Sequence, residues 1–502
     1  MQEYGMTKKI GLFLGPILFL FLLFMDPPEG MQPAALKVAA VTVLMAVWWI
    51  TEAVPIPVTA LMPIIMYPAL DVMKVGPVSG SYANPTIYLF MGGFFIAIAM
   101  ERWNLHKRLA LYTIRLVGLS PAMMTMGFMI ATGALSMWVS NTATAMMMVP
   151  IGLAVITQVT GKSSADILSG STGRYEMNFA KGLMLGIAYA ASIGGVATII
   201  GTPPNTIMVG MLDSSYGVKI SFAQWLMFGL PLSIIMLTAT WLILTKILFP
   251  TGDLQLSEGR DVIRREIEKL GRISRQETIV LIVFCFVAIA WILGSFIKKP
   301  FMNDTVIAMV GTLLLFILPA DWKKGEFILD WKTAVKIPWD IVLLFGGGFA
   351  VAGAFQKTGL ATWIADQLTL LQGVDVLVFV LIATLLVVFL TEVTSNTATA
   401  TLLVPIMGAA AIAMGVHPFA TIVSACVGAS FAFMLPVATP PNAVVFGSGA
   451  VRIIDMIKAG IWLNIIGTIV IVLFTVYVMP TLWGIDISSV PEWATVAKEA
   501  VK

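Results

Sequence analysis

The sequence predicts an all-α polytopic membrane protein built as two related halves, and three observations carry that prediction. Of 502 residues, 59% are hydrophobic and only 11% charged, whereas a soluble domain carries about 25% charged residues. Apolar runs of the length a bilayer needs, about 17–25 residues, recur almost from end to end. Two polar, helix-breaking motifs sit inside this apolar sequence, and each occurs twice, in the same order.

Taken in order, about eleven spans are expected. They begin near 10–25, 35–50 and 54–70, and later include 279–297, 305–318, 340–355, 374–390 and 462–479. Residues 1–9 lack a small-residue cleavage site before Pro16, so the first run is expected to be retained as a span. The net charge of +3 says little, because orientation follows the placement of Lys and Arg. Lys8 and Lys9 precede the first span, and the polar loop 251–278 holds Arg260, Arg264, Arg265, Lys269, Arg272 and Arg275. The positive-inside rule places both in the cytoplasm. The loop is expected to form a surface amphipathic helix rather than to bind nucleic acid.

Several classes of chemistry are not expected. Cys285 and Cys426 lie in apolar runs, and His106 and His417 are the two histidines of the chain. That inventory does not suit a disulfide framework, a metal cluster or a covalent cofactor. Gly161-Lys162-Ser163 ends like a nucleotide-binding P-loop, but position 156 is Ile where that motif needs Gly. Without ATP chemistry or enzymatic machinery, active transport would draw on an ion gradient.

The duplication is explicit. Val139-Ser140-Asn141-Thr142-Ala143-Thr144-Ala145 is echoed 255 positions later by Thr394-Ser395-Asn396-Thr397-Ala398-Thr399-Ala400. The same spacing pairs Leu89-Phe90-Met91-Gly92-Gly93-Phe94 with Leu344-Phe345-Gly346-Gly347-Gly348-Phe349. Gly201-Thr202-Pro203-Pro204-Asn205 is matched by Ala438-Thr439-Pro440-Pro441-Asn442, 237 positions later. The first half therefore carries an insertion between its motifs, expected over 161–178. This gives a first repeat over 1–250, a linker over 251–278 and a second repeat over 279–502. Ser-Thr-Ala-Asn clusters also serve simple helix packing, but two motif pairs in one order point to a shared site.

The residue types say what such a site would hold. Pro-Pro cannot continue a helix, so broken helices are expected about 180–212 and 418–447. Unwound backbone at membrane depth is tolerated only around a polar cavity. Half-helix N-termini suit carboxylates, while unwound carbonyls and neutral Ser, Thr and Asn oxygens suit Na+. No Lys or Arg accompanies either motif, so an anion would need cations that travel with it. Ser136 lies one helical turn before Ser140, and Thr391 one turn before Ser395, which places each hydroxyl on its motif's face. With Gly201 and Ala438, each half offers one cation cage.

These motifs resemble the divalent anion/sodium symporter family. Two Ser-Asn-Thr motifs are its hallmark, and Ser430, Phe433, Pro436, Ala438, Asn442 and Val445 fit its C-terminal signature. Trp49-Ile50-Thr51-Glu52 before Pro55 and Pro57 is similar to its N-terminal half. The resemblance implies a homodimer in a bacterial inner membrane whose transport domains move like elevators. It implies re-entrant hairpins about 121–157 and 376–414 and a last helix about 461–484. Substrate contacts would come from Ser140, Asn141, Thr142, Ser395, Asn396 and Thr397, with Thr202, Pro203, Thr439 and Pro440 beside them. One Na+ would use Ser136, Ser140, Asn141 and Gly201, and its twin Thr391, Thr394, Asn396 and Ala438.

The function expected is Na+-coupled symport of a C4-dicarboxylate such as succinate, malate or fumarate. The alternatives are a Na+-independent dicarboxylate exchanger, a citrate or sulfate symporter of the same family, or a passive anion channel. Glu52 and Glu392 lie in or near apolar spans and are functional candidates. Glu392 would either tune the second cation site or be held by Ser or Thr. The charged run Glu101, Arg102, His106, Lys107 and Arg108 reads as an interfacial cap.

Overall fold

An apolar chain in a bilayer must bond its own backbone, and helices do so within one segment. The computed structural model is accordingly almost entirely helical, and it describes residues 5–117, 120–161, 173–252, 254, 259–297, 299–367 and 373–494. The expected insertion, with Lys162 and Ser163, falls largely outside these residues, as does part of the 251–278 loop.

The first half comprises α1 (Met6–Leu23), α2 (Pro33–Thr51), α3 (Ile56–Thr59), α4 (Met62–Ala69), α5 (Val75–Ser81), α6 (Pro85–Arg102) and α7 (Leu105–Val117). It continues with α8 (Pro121–Ser136), α9 (Asn141–Thr160), α10 (Arg174–Gly195), α11 (Pro203–Tyr216) and α12 (Phe222–Leu242). A polar helix, α13 (Gly259–Leu270), leads to α14 (Arg275–Gly294), α15 (Asp304–Ile317), α16 (Trp331–Ala334), α17 (Trp339–Thr358) and α18 (Leu360–Gln367). The chain closes with α19 (Val376–Thr391), α20 (Asn396–Ala413), α21 (Phe419–Ser430), α22 (Pro440–Gly447), α23 (Ile453–Leu473) and α24 (Met479–Trp483). The strands among the described residues are β1 (Pro319–Asp321) and β2 (Glu326–Phe327), paired antiparallel.

Among the described residues, nine helices are long and apolar enough to cross a membrane. Shorter apolar helices, including α8, α15, α19 and α21, account for the higher number expected from hydropathy. Outward-facing rows such as Phe13, Ile17 and Phe21 on α1, and Ile282, Phe286 and Ile289 on α14, are exposed. Apolar side chains facing away from the protein suit a lipid surround.

Two apolar clusters organise the interior. One joins α1–α5 to α17 and α18 through residues such as Val41, Trp49, Tyr67, Ala350 and Phe355. The larger surrounds α10, which is buried from Asn178 through Gly195. Helices α8 and α9, joined by 137–140, pack on α10, while α19 and α20, joined by 392–395, pack on α21. In addition, α9 packs on α22 and α20 on α11. Each helix that starts at a Ser-Asn-Thr motif thus reaches the broken helix of the other half.

The polar linker forms the amphipathic helix expected there. In α13, Val262 and Ile263 are buried, while Arg264, Glu268 and Lys269 face outward. The charged run after α6 is committed to neighbouring elements. Arg102 pairs with Asp330 at 2.6 Å, Lys107 with Glu266 at 2.8 Å and Arg108 with Glu277 at 2.7 Å. Helix α23 starts earlier than hydropathy suggests because Asp455 is accommodated: it accepts the Arg452 N–H and pairs with Lys181 at 2.9 Å.

Candidate functional site: twin oxygen clusters at paired helix breaks

All four motif copies lie where helices begin. Ser140 precedes α9 and accepts the Ala143 N–H at 3.2 Å, the bond an N-cap serine favours. Ser395 takes the same place before α20 but makes no such side-chain cap. Thr202 (φ −143°, ψ 142°) and Thr439 (φ −141°, ψ 148°) precede α11 and α22 with nearly the same extended backbone. Pro203 and Pro440 then open the helices, where a missing N–H is no loss. Four helix N-termini therefore direct partial positive charge at these motifs, although Pro203-Pro204 and Pro440-Pro441 supply no N–H, and the next N–H groups are bonded to Thr202 and Thr439.

Beside each Ser-Asn-Thr turn lies a cluster of oxygens. The buried Ser136 hydroxyl is 2.5 Å from Asn141 Oδ1 and 2.7 Å from the Ala191 carbonyl. The end of the Asn141 amide that faces Ser136 also lies 3.1 Å from the Ala191 carbonyl and 3.2 Å from the Gly201 carbonyl. In the second half the Thr391 hydroxyl is 2.8 Å from Asn396 Oδ1 and 2.9 Å from the Ala429 carbonyl. The hydroxyl, Asn side chain and Ala carbonyl of the two clusters correspond, and the first adds the Gly201 carbonyl.

Proton counting shows what that construction can bind. A hydroxyl has one hydrogen, so Thr391 cannot satisfy both of its acceptors, and neither can Ser136 when Asn141 Oδ1 faces it. With its nitrogen turned inward, Asn141 donates to the surrounding oxygens. With its oxygen inward, four oxygens converge, and a small hard cation resolves their mutual repulsion. The backbone is shaped to allow this approach. A Cβ on Gly195 would sit 2.7 Å from Asn141 Oδ1 and 2.9 Å from the Gly201 carbonyl, so only glycine fits beside this cluster.

The remaining expected residues are distributed around these clusters. Thr142 and Thr397 are half-buried in the first turns of α9 and α20, and Ala438 is buried in the second break. Thr394 spends its hydroxyl on the Leu390 carbonyl at 2.9 Å and on Thr399 at 2.5 Å. Its hydroxyl is thus engaged with Leu390 and Thr399 rather than with the Thr391–Asn396 cluster. Glu52 lies outside the site, paired with Lys8 at 3.5 Å.

The structure adds two carbonyls that the sequence alone did not single out and gives partners to Asn205, Asn442 and Glu392. Ala191 and Ala429 contribute carbonyls, which no side-chain pattern advertises. A signal exists: each alanine is followed by a serine, Ser192 and Ser430, 238 positions apart. Asn205 donates its amide to the Val196 and Thr198 carbonyls at 3.1 and 2.7 Å. Asn442 does the same to Ala432 and Leu435 at 3.1 and 3.0 Å. The Asn of each Thr-Pro-Pro-Asn thus staples its own break. Glu392 is bonded to backbone N–H groups of the second break and to Asn464, not to Ser or Thr.

A helical membrane protein with oxygen-lined clusters at paired helix breaks is, as a class, a transporter. The family described as "Sodium:sulfate symporter transmembrane region" matches residues 6–485. The chain belongs to this divalent anion/sodium symporter family. Its curated relatives include proteins named sodium-dependent dicarboxylate transporter SdcS. The one from Staphylococcus saprophyticus is 43% identical over 97% of this chain and 94% of its own length. That of Staphylococcus aureus is 44% identical with the same coverage. Solved structures share the fold at low identity. The Alcanivorax borkumensis YdaH transporter aligns at TM-score 0.53 and 14% identity, over 81% of this chain and 87% of that one. Neisseria gonorrhoeae MtrF, described as illuminating a class of antimetabolite efflux pumps, aligns at TM-score 0.57 and 13% identity, over 91% and 96%.

Proposed function

We propose that the chain is a Na+-coupled symporter that carries C4-dicarboxylates such as succinate, malate and fumarate into the cell. The observation that carries this reading is the duplicated oxygen cluster, Ser136–Asn141–Ala191–Gly201 and Thr391–Asn396–Ala429. Each holds one Na+, with Ser140, the Thr394 main chain and Ala438 completing the cages. Asn141 and Asn396 face both a cation and a carboxylate, so they couple the two ligands. Ser140, Thr142, Ser395 and Thr397 take the carboxylates, with Thr202, Pro203, Thr439 and Pro440 lining the site.

Two equivalent tips match a ligand with two carboxylates, and the relatives' names support the same substrate class. Na+ binds first, because a dianion gains most where cations already stand in for fixed positive charge. If more than two Na+ accompany each dianion, the membrane potential contributes about 2.3 kcal/mol per net charge per 100 mV. The two repeats, the hairpins of α8–α9 and α19–α20, a homodimer, elevator movement and a cytoplasmic N-terminus belong to the same proposal. The test is uptake of labelled succinate into liposomes under a Na+ gradient, with excess malate and fumarate competing. Uptake that sulfate or citrate suppresses more strongly than malate would overturn the substrate assignment.

A further inference from the structure

The two halves differ in charge in the turn that leads into the Ser-Asn-Thr motif. Aligned on the Ser-Asn-Thr motifs, Glu392 stands opposite Met137. The breaks differ in the same sense. Aligned on Asn205 and Asn442, Gly195 corresponds to Ala432, yet α10 stays helical through Gly195 while α21 stops at Ser430. The second break is therefore unwound earlier. In the first break the Val196 and Ala197 N–H groups turn back onto the Ile193 and Gly194 carbonyls at 3.2 and 3.0 Å. In the second, three consecutive N–H groups leave the helix altogether, and unpaired donors at membrane depth need an acceptor.

Glu392, only 3% exposed, is that acceptor. Its carboxylate receives Phe433 N at 2.7 Å, Met434 N at 3.0 Å and Leu435 N at 3.2 Å, and the Asn464 amide at 2.6 Å. Charge-assisted bonds of this kind are the strong ones. One of them has a consequence for the neighbouring cluster. In a continued helix the Phe433 N–H would go to the Ala429 carbonyl, four residues earlier. Glu392 takes that N–H instead, and the freed Ala429 carbonyl is the one that meets Thr391.

We infer that Glu392 is a positioning residue for Na+: it holds the second break open, frees the Ala429 carbonyl and makes the second cage the tighter of the two. This rests on the symport reading above. The carboxylate does not touch the ion. It acts through the backbone it holds and through a negative charge one residue from Thr391, in a medium that screens it weakly.

The test is Na+-dependent thermal stabilisation of the full chain in detergent, without substrate, with choline chloride holding the ionic strength. The readout is the Na+ concentration at half-maximal shift, which a loss of stability alone does not move. Glu392→Gln is expected to raise it about tenfold or more, and Glu392→Asp, which keeps the charge, by less. Should Glu392→Gln not fold, Asn464→Ala removes one of the carboxylate's partners and is expected to raise the midpoint by a smaller factor. A lower melting temperature with an unchanged midpoint in these variants, or equal effects of Asp and Gln, overturns the inference and leaves symport standing. A wild-type protein indifferent to Na+ overturns both.

Discussion

Replacing Thr391 by Val keeps the branched shape of a side chain that is fully buried and removes one oxygen. That oxygen lies 2.8 Å from Asn396 Oδ1 and 2.9 Å from the Ala429 carbonyl. If the cluster holds Na+, the substitution deletes one of its ligands and replaces it with a methyl group. An interaction with a charged partner contributes about 1.5–3 kcal/mol. At about 1.4 kcal/mol per decade, the Na+ concentration for half-maximal uptake should rise roughly 10- to 150-fold. Thr391→Ser restores the oxygen and should remain close to wild type. The assay is the initial rate of labelled succinate uptake into proteoliposomes as external Na+ is varied, with protein amount and monodispersity matched. An unchanged half-saturating Na+ concentration in folded Thr391→Val would refute the cation cage.

Gly195→Ala tests the first cluster from its backbone. Its new Cβ would lie 2.7 Å from Asn141 Oδ1, and overpacking of this kind costs about 1–3 kcal/mol; Na+ titration of uptake should show weakened affinity, and wild-type affinity would mean that the cluster yields freely. A structural prediction concerns Arg108, whose side chain is 8% exposed and binds Glu277 as well as the Leu270 and Gly271 carbonyls. Arg108→Ala strands a buried carboxylate and should destabilise the protein by about 3–5 kcal/mol. Arg264→Ala, whose side chain is 69% exposed, should change stability by no more than about 0.5 kcal/mol; thermal unfolding in detergent compares the two.

The breaks were legible in the sequence because their cause is covalent. Pro203-Pro204 and Pro440-Pro441 lack the N–H that a continuing helix needs, and no tertiary context restores it. Ser136 and Thr391 were found by their spacing of four residues from the motif serines, but for a different reason than a shared helical face: α8 ends at Ser136 and α19 at Thr391, and the turn that follows brings Asn141 and Asn396 back onto these hydroxyls. The carbonyls of Ala191 and Ala429 were not, since every residue has one and only the fold selects which are left facing a cavity. The roles of Asn205 and Asn442 were hidden for a related reason: their partners are backbone atoms seven to ten residues upstream. Glu392 is the extreme case. The N–H groups it holds lie 41 to 43 residues away in sequence, and they are free only because the second break unwinds early.

Coupling is tested most directly by one comparison in proteoliposomes: the initial rate of labelled succinate uptake under an inward Na+ gradient and under an equal choline gradient. Twin Na+ cages that complete the anion site predict concentrative uptake with Na+ and background uptake with choline. Equal rates in the two would contradict Na+-coupled symport.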